Sequence, residues 1–417
     1  MQWKGNNAGE FITGLDIGTS TVKVAVAEPR NGRLALIHVD KEQSAGMRKG
    51  AIVEIPEVSH IASRVLADVK KLSKSAARNI YLAMGSPQVK MQLSRGIVAV
   101  SHADGEIYQD DVDRAVRASQ AVNLPQNRTI LHTLTREYIV DGVGDIADPL
   151  GLSGNRLEVQ SIIIDVFSPH VKGLMNAVEL AGGEISGLYL SPLMAARAAL
   201  SKRQKDLGTA LIEIGHGTTG LAVYEENKLV AVAKFPVGTA NLANDLGVGL
   251  KIPVDAAEEI MLKCGSAIAK EVNLKDQVEL GKYAPDAKGF VSRRFVAEII
   301  QSRLEEIFDF VNAELKACGK AGELPGGVVL VGGGAKLPGI TDLAKQELKL
   351  SCQLGCALSS DWESEGGAFK EYLEDPEFAG VFGLVLWGMD QEGWGRGGRS
   401  IGGAKGAIRN VFKYFTP

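Results

Sequence analysis

Residues Phe11 to Lys23 read FITGLDIGTSTVK. An apolar run ends in Asp16. A turn of small and hydroxylated residues follows (Gly18, Thr19, Ser20), and a second apolar run begins at Val22. Backbone N–H groups in such a turn form a concave nest for anions. The hydroxyls add donors, and Asp16 can hold Mg through the ion's water shell. Lys23 offers a point charge to a phosphate. Any hairpin needs a turn of small residues, so Phe11–Lys23 alone does not identify a phosphate site.

The theme returns from Gly208 in GTALIEIGHGTTGLAVYEENKLVAVAKF, beside FITGLDIGTSTVKVAVAEPRNGRLALIHV. Each copy has a strand ending in an acid, then Ile-Gly, a Gly/Thr turn, a second strand, a polar turn and a third strand. Glu213 matches Asp16 and Gly215 matches Gly18. After Gly217, Thr218 and Thr219 are set against Thr19 and Ser20. A repeat at this distance predicts two related domains rather than a solenoid. Two acid–Gly–Thr hairpins can then grip one Mg-nucleotide from both sides of a cleft. A third element supports this. The short apolar strand Gly327 to Val331 runs into Gly332-Gly333-Gly334, with a helix from about Pro338. A triple glycine lets backbone approach a ligand closely, and the helix start favours a phosphate or ribose.

Between the copies, Tyr108 to Ala121 reads as an amphipathic helix entered through Asp110 and Asp111, flanked by strands at Gln88 to Ala103, Arg128 to Val140 and Glu158 to Phe167. This is a β/α unit set inside a larger one. Glu57 to Ser73, Pro169 to Gly182, Val254 to Cys264 and Arg293 to Lys316 carry helical spacing. Ser201 to Asp206 reads as a charged surface connection and Asn273 to Gly289 as a polar loop.

Composition narrows the classes. The chain has 417 residues, 45% hydrophobic and 23% charged, ordinary for a soluble globular protein of several domains. A net charge of −4 argues against whole-protein attraction to nucleic acid. The four cysteines are few, and Cys352/Cys356 lack further ligands at metal spacing, so packing thiols in a reducing cytoplasm are expected. The first ten residues are polar, without the apolar core of a signal peptide. No apolar run has transmembrane length; Ala379 to Met389 is Gly-rich and suits a core helix.

The end of the chain differs. Gln391 to Gly403 has six glycines in thirteen residues, a flexible composition. In the last segment Ile408, Val411, Phe412 and Phe415 form one apolar stripe, flanked by Lys405, Arg409 and Lys413. A short basic amphipathic helix on a tether predicts a membrane-surface anchor. Four such side chains contribute about 1.5–3 kcal/mol each before ordering costs. One copy therefore binds reversibly, and an assembly adds avidity.

Together these features resemble the actin/Hsp70/sugar-kinase ATPase superfold and, within it, the FtsA family of bacterial cell-division proteins. DIGTS, EIGHGTTG and VLVGGGAKLPGI look like the superfold's two phosphate motifs and its adenosine motif. RGIVAVSHADGEIYQDDVDRA, ILHTLTREYIVDG and IADPLGLSGNRLEVQ resemble the family's inserted subdomain, and DPEFAGVFGL with the tethered tail completes the pattern.

The resemblance implies an α/β actin-like fold, with duplicated ribonuclease-H-type domains around a nucleotide cleft and an inserted small β/α subdomain. It places a mobile tail at 1–10, the first domain at 11–86 and 165–205, and the insert at 87–164. The second domain takes 206–240 and 318–390, its small subdomain 241–317, the linker 391–403 and the membrane helix 404–417.

It also implies ATP and Mg as ligands and filaments of the protein itself at the cytoplasmic face of the membrane, at the division site. The FtsZ C-terminal peptide and other division proteins would be partners, with no nucleic acid. EIIQSRLEEIF matches the FtsZ-binding region, with Arg303 a candidate to pair the acidic peptide. PVGTANLAND brings in Gly238, and AEEIMLKCG brings in Glu258 as the ribose hydroxyl acceptor.

The chain departs from the family at Glu213 (usually Asp), His216 (usually small), Thr239, Ala243, Met261 (usually Lys) and Val331 (often Thr). This combination implies binding with weak ATPase activity at most, in which Asp16 and Glu213 would position Mg and water. A PilM-type pilus scaffold and a small-metabolite kinase are the alternatives within the superfold.

Overall fold

Strand β1 (Ile12–Ile17) is buried at nearly every position and lies at the middle of a five-stranded sheet. In the computed structural model, residues 11–30, 32–363 and 369–392 are described. The tail 1–10, the linker beyond Glu392 and the amphipathic segment with Lys405, Ile408, Arg409, Val411, Phe412, Lys413 and Phe415 lie outside these residues.

β1 pairs antiparallel with β2 (Thr21–Arg30), and β2 with β3 (Arg33–Gln43). The second ladder runs out to Arg30↔Arg33, with Gly32 at φ +73°, as the Asn-Gly dipeptide predicts for a tight hairpin. The two-stranded ladder β4 (Met47–Arg48) and β5 (Ala51–Ile52) precedes helix α1 (Ile55–Leu72). One stripe of α1 is buried, with Val58, Ala62, Val65, Leu66 and Val69 at helical spacing. β6 (Ile80–Met84) then joins the sheet parallel to β1.

Residues Gln88–Gly173 form a unit of their own. Its strands β7 (Val89–Ala99), β8 (Arg128–Val140), β9 (Val143–Ile146) and β10 (Arg156–Phe167) make an antiparallel sheet of order β7-β10-β8-β9. Helix α2 (Gln109–Ser119) packs on it through Val112 and Ala115, against Ile107, Val140, Leu157 and Val159. The expected entry through acids has a specific form. The Asp111 carboxylate accepts from the backbone N–H of Tyr108 at 3.2 Å and of Ser101 at 3.1 Å, and from the Ser101 hydroxyl at 2.8 Å. Arg114 pairs with the same carboxylate.

Helix α3 (Ser168–Leu180) follows, and β11 (Ile185–Leu190) completes the first sheet in the order β11-β6-β1-β2-β3. Helix α4 (Ser191–Ala199) is buried along almost its whole length. The stretch after it, expected as a surface connection, is helix α5 (Lys202–Leu207). The reason is a capping box. The Ser201 hydroxyl accepts from the Gln204 N–H at 3.2 Å, and the Gln204 side chain accepts from the Ser201 N–H at 3.0 Å.

The second sheet opens with β12 (Thr209–Ile214), β13 (Thr219–Glu225) and β14 (Lys228–Phe235), again antiparallel neighbours. Glu226 and Asn227 have φ +52° and +59°, so this hairpin closes in a two-residue left-handed turn. Helices α6 (Thr239–Leu250) and α7 (Val254–Cys264), the small ladder β15 (Gln277–Glu279) with β16 (Phe290–Ser292), and the long helix α8 (Arg293–Ala317) come next. The expected polar loop thus holds a short strand, because Val278 is buried in the core beneath α8.

β17 (Val328–Val331), helix α9 (Ile340–Leu348) and β18 (Cys352–Leu354) complete the sheet, order β14-β13-β12-β17-β18. This is the order of the first sheet with equivalent strands, so the sequence repeat is a repeat of topology.

After the short helix α10 (Lys370–Glu374), helix α11 (Ala379–Gln391) runs buried on all sides. Its glycines explain how. A Cβ on Gly383 would lie 1.7 Å from the Met194 carbonyl oxygen of α4, and one on Gly14 of β1 would lie 2.6 Å from the Val381 carbonyl oxygen of α11. Only bare backbone fits at these contacts. α11 thereby ties the first sheet to α4, and α4 also packs on β12 and β13.

Candidate functional site

Both hairpin turns open onto one cavity of about 480 Å³, within the usual range for a small-molecule site. Of the candidate residues, Asp16, Gly18, Thr19, Ser20, Lys23, Glu213, Gly215, Gly217, Thr218, Glu258, Gly332, Gly333 and Gly334 line it. The turns are built alike. The Gly18 N–H donates to the Thr21 carbonyl at 3.0 Å, and the Gly215 N–H donates to the Thr218 carbonyl at 2.9 Å.

This equivalence corrects the sequence register. Thr218 takes the place of Thr21, and His216-Gly217 take the place of Thr19-Ser20. Thr219 takes the place of Val22 and lies in the core, its hydroxyl donating to the Val237 carbonyl at 2.9 Å. Gly238 also falls outside the cavity lining. A Cβ there would lie 2.4 Å from the Gly215 carbonyl oxygen, so its part is to let α6 start directly behind the turn.

With Gly18 and Gly215 committed inside the turns, the N–H groups of Thr19, Ser20, His216 and Gly217 have no acceptor among the described residues. They are the available nest for an anion. The two turns touch. A Cβ on Gly217 would lie 2.5 Å from the Thr19 hydroxyl, which itself accepts from the Gly50 N–H at 3.0 Å. Gly332, at φ +87°, would put a Cβ 2.5 Å from the Ile214 carbonyl oxygen. The triple glycine passes into a single 3-10 turn, Gly333–Lys336, rather than directly into a helix, and α9 starts at Ile340.

The two acids differ in surroundings. Asp16 has Lys23 at 3.7 Å as its nearest ion-pair partner. Burial raises its carboxyl above the ordinary value, against the opposing pull of Lys23. Glu213 is paired more closely, through one oxygen. Its Oε2 accepts from the Ser191 hydroxyl at 2.6 Å and from the Lys234 ammonium at 3.1 Å, and Lys234 also bonds Ser191. Burial pushes the Glu213 carboxyl up, but Lys234 and Ser191 outweigh it and hold the group below its usual value. Both carboxylates reach toward the start of α11. A Cβ on Gly380 would lie 3.5 Å from Glu213 Oε1 and 3.9 Å from Asp16 Oδ2.

Register explains the asymmetry. Asp16, Lys23 and Lys41 are directly opposite one another across β1, β2 and β3. Glu213, Gly220 and Lys234 are opposite across β12, β13 and β14. Opposite residues in antiparallel strands share a face. In the second half the middle position is therefore Gly220, and the lysine reaches the acid from the third strand. A Cβ on Gly220 would lie 3.2 Å from Glu213 Oε2. The added methylene of Glu213 fits because position 220 is empty.

Sequence reading missed Lys234, Ser191, Lys41, Lys336 and Glu377, all of which line the cavity. Lys234 carries a signal, a second cation near the end of the largely apolar strand KLVAVAKF. Glu377 and Ser191 carried none, being brought in from distant segments.

On the nucleoside side, Glu258, Met261, Leu262, Leu304 and Leu337 line the cavity, and the His216 ring lies 3.5 Å from the Glu258 carboxylate. Arg303 does not line the cavity. Its guanidinium is held by Asp245 at 2.6 and 3.0 Å, and by Glu306. An incoming carboxylate would have to compete with these partners.

The residues fit a Mg-nucleotide. The nest, enforced by glycine close contacts, suits phosphate oxygens. Asp16, facing the cavity with one ammonium beside it at 3.7 Å, suits a hard cation. The apolar and Glu258-lined end suits a nucleoside.

Two sheets of one topology, each opening a hairpin turn onto a shared cleft, define a protein of the actin-like ATPase fold. Solved structures agree on the fold. A chain of the PilM-PilN type IV pilus biogenesis complex aligns with TM-score 0.64 at 18% identity, covering 90% of this chain and 98% of that one. MreB5 of Spiroplasma citri bound to ADP aligns with TM-score 0.54 at 13% identity, covering 97% and 98%.

The sequence relatives are nearer. The family profile described as the SHS2 domain inserted in FTSA matches residues 87–165, and that of cell division protein FtsA matches residues 210–383. Cell division protein FtsA of Bacillus subtilis (strain 168) is 35% identical over 343 residues, 82% of this chain and 78% of that protein. That of Borreliella burgdorferi is 32% identical over 389 residues, 92% of each. The chain belongs to the FtsA family of cell-division proteins.

Proposed function

We propose that this chain binds ATP with Mg in the cleft between its duplicated halves, polymerises at the cytoplasmic membrane at the division site, and tethers FtsZ there through the FtsZ C-terminal peptide. The observation that carries the nucleotide reading is the meeting of both hairpin turns, Asp16 and the triple glycine in one cavity. Thr19, Ser20, His216 and Gly217 N–H groups would bind phosphate, with Lys23 beside them. Asp16 would hold the Mg water shell, and Glu258 would accept from a ribose hydroxyl. Mg supplies charge neutralisation to the phosphates when bound.

Nucleotide acts here mainly as a structural ligand. A general base needs a free carboxylate near its task. Glu213 already accepts from Ser191 and Lys234, which makes it a poor proton acceptor. Slow turnover follows, with nucleotide holding the two halves in the polymerising arrangement.

The membrane and FtsZ roles rest on family membership and on the basic amphipathic stripe of 404–417. Among the described residues no helix is long and apolar enough to cross a membrane. The test is co-sedimentation with anionic liposomes in the presence of ATP, comparing the full chain with one ending at Gly403. The full chain should pellet and the shortened one should stay in solution; equal pelleting would falsify the anchor. Calorimetric titration with ATP and with an FtsZ C-terminal peptide tests the other two roles separately.

A further inference from the structure

Glu377 lies in the 3-10 turn Pro376–Phe378 that leads into α11. Its side chain is 10% exposed, and three ammonium groups from three separate elements meet it. Lys336 approaches from the turn after the triple glycine at 2.8 Å, Lys41 from β3 at 3.3 Å and Lys23 from β2 at 3.9 Å. The turn is pinned, since the Glu377 N–H donates to Asp375 Oδ1 at 2.9 Å while Asp375 Oδ2 takes Lys336 at 2.9 Å. A Cβ on Gly333 would lie 3.8 Å from Glu377 Cδ, so the carboxylate sits against the triple glycine. Lys23 is shared, with Asp16 at 3.7 Å on its other side. The three ammonium groups of Lys23, Lys41 and Lys336 are thus balanced by the three carboxylates of Asp16, Asp375 and Glu377.

We propose that Glu377 is a built-in counter-anion that competes with nucleotide phosphates for the cleft lysines, and so makes binding favour the Mg-complexed nucleotide over the bare one. This rests on the nucleotide reading above. A neutral cluster offers a bare polyphosphate no net attraction, and it sets Asp16 and Glu377 against the incoming charge. A phosphate group whose charge is partly cancelled by Mg meets less opposition. Without Glu377 the cluster has one unbalanced ammonium, and Lys23 turns toward the phosphates.

The experiment is calorimetric titration of the full chain and its Glu377→Gln variant with ADP in EDTA, ADP with Mg, and adenosine. Glu377→Gln should bind bare ADP about tenfold more tightly, the scale of one unit charge acting over a short, partly screened distance. It should gain less with Mg-ADP and nothing with adenosine. The gain should shrink as salt rises. Glu377→Met carries the same expectation if the glutamine variant folds poorly.

In the Glu377→Gln background, Lys336→Met should change bare ADP affinity less than it does in the parent, because the two residues act as one unit. Unchanged or weaker binding of bare ADP by both variants, or an equal gain for adenosine, overturns the proposal. Absence of ADP binding, with and without Mg, by the parent and both variants alike overturns the nucleotide reading itself.

Discussion

The Lys234 ammonium lies 3.1 Å from Glu213 Oε2, with only 3% of the lysine side chain exposed. In the first half of the molecule Lys23 pairs Asp16 from the second strand, whereas Lys234, the counterpart of Lys41, reaches its acid from the third. The Lys234–Glu213 pair joins β12 to β14 across the bare Gly220. Removing one partner of a buried pair strands the other charge, which costs far more than the pair itself contributes. Lys234→Met should therefore destabilise the fold by about 3 kcal/mol, read as a lower urea midpoint. Lys234→Met with Glu213→Gln should recover part of that loss. If the single variant is as stable as the parent, the pair does not hold this half of the cleft.

A second expectation concerns Asp16, whose carboxylate has Lys23 at 3.7 Å as its nearest ion-pair partner. Asp16→Asn should remove most of the difference between ATP affinity with Mg and with EDTA. Calorimetry in the two buffers checks this. A Mg effect as large as the parent's, beyond the share that Glu377→Gln removes, would move the cation elsewhere in the cleft.

The close packing of α11 is tested by a pair of alanines. Gly383→Ala would put a methyl 1.7 Å from the Met194 carbonyl oxygen, and a backbone shift must follow. A loss of about 3 kcal/mol is expected, at the upper end of overpacking effects. Gly173→Ala in α3 meets nothing within 4 Å. It should gain about 0.5–1 kcal/mol from helix propensity. Thermal unfolding of the two variants should therefore shift in opposite directions.

Acid sensitivity of the unit Gln88–Gly173 centres on Asp111. Burial opposes its ionisation, but hydrogen bonds from Ser101 and Tyr108, with Arg114, prevail and hold its carboxyl at about 2, below the ordinary value of 3.8. A depressed carboxyl stabilises the fold above its unfolded value, and that contribution is lost as pH falls from about 3.8 toward 2. Asp111→Asn should lower α2 protection at neutral pH by about 1 kcal/mol and flatten its decline in that acid window. Hydrogen exchange resolved to residues 109–119 measures both effects. An unchanged acid profile would remove Asp111 from this role.

The pairing of Arg303 with Asp245 gives a prediction of unusual sign. If an acidic FtsZ peptide uses Arg303, Asp245→Asn should tighten its binding several-fold by freeing the guanidinium, while Arg303→Met weakens it. Parallel titrations settle the matter, and weakening in both variants would mean that the pair shapes the surface without contacting the peptide.

Much of this architecture is legible in the sequence. The hairpins, the duplicated acid–Gly–Thr turns, the acidic start of α2 and the Gly-rich core helix α11 depend on alternation, turn residues and helical spacing, which act over a few residues. The capping box at Ser201 and Gln204 is equally local, a Ser-x-x-Gln pattern along the chain. The shift of Thr218 and Thr219 by two positions is not legible in the sequence, because the turn of the second copy can be aligned in more than one way. Only the hydrogen bonds of Gly18 and Gly215 fix it.

By itself, the sequence determined the two-fold repeat, the paired acid–Gly–Thr turns and the composition of the terminal basic stripe. Tertiary structure decided which charges meet. Lys234 and Ser191 reach Glu213 from a third strand and from the start of α4, and Glu377 gathers Lys23, Lys41 and Lys336 from three separate elements. Such contacts depend on strand register and on the approach of α11 to β1 and α4 through Gly14 and Gly383. No spacing along the chain encodes them, because folding brings together groups up to hundreds of residues apart.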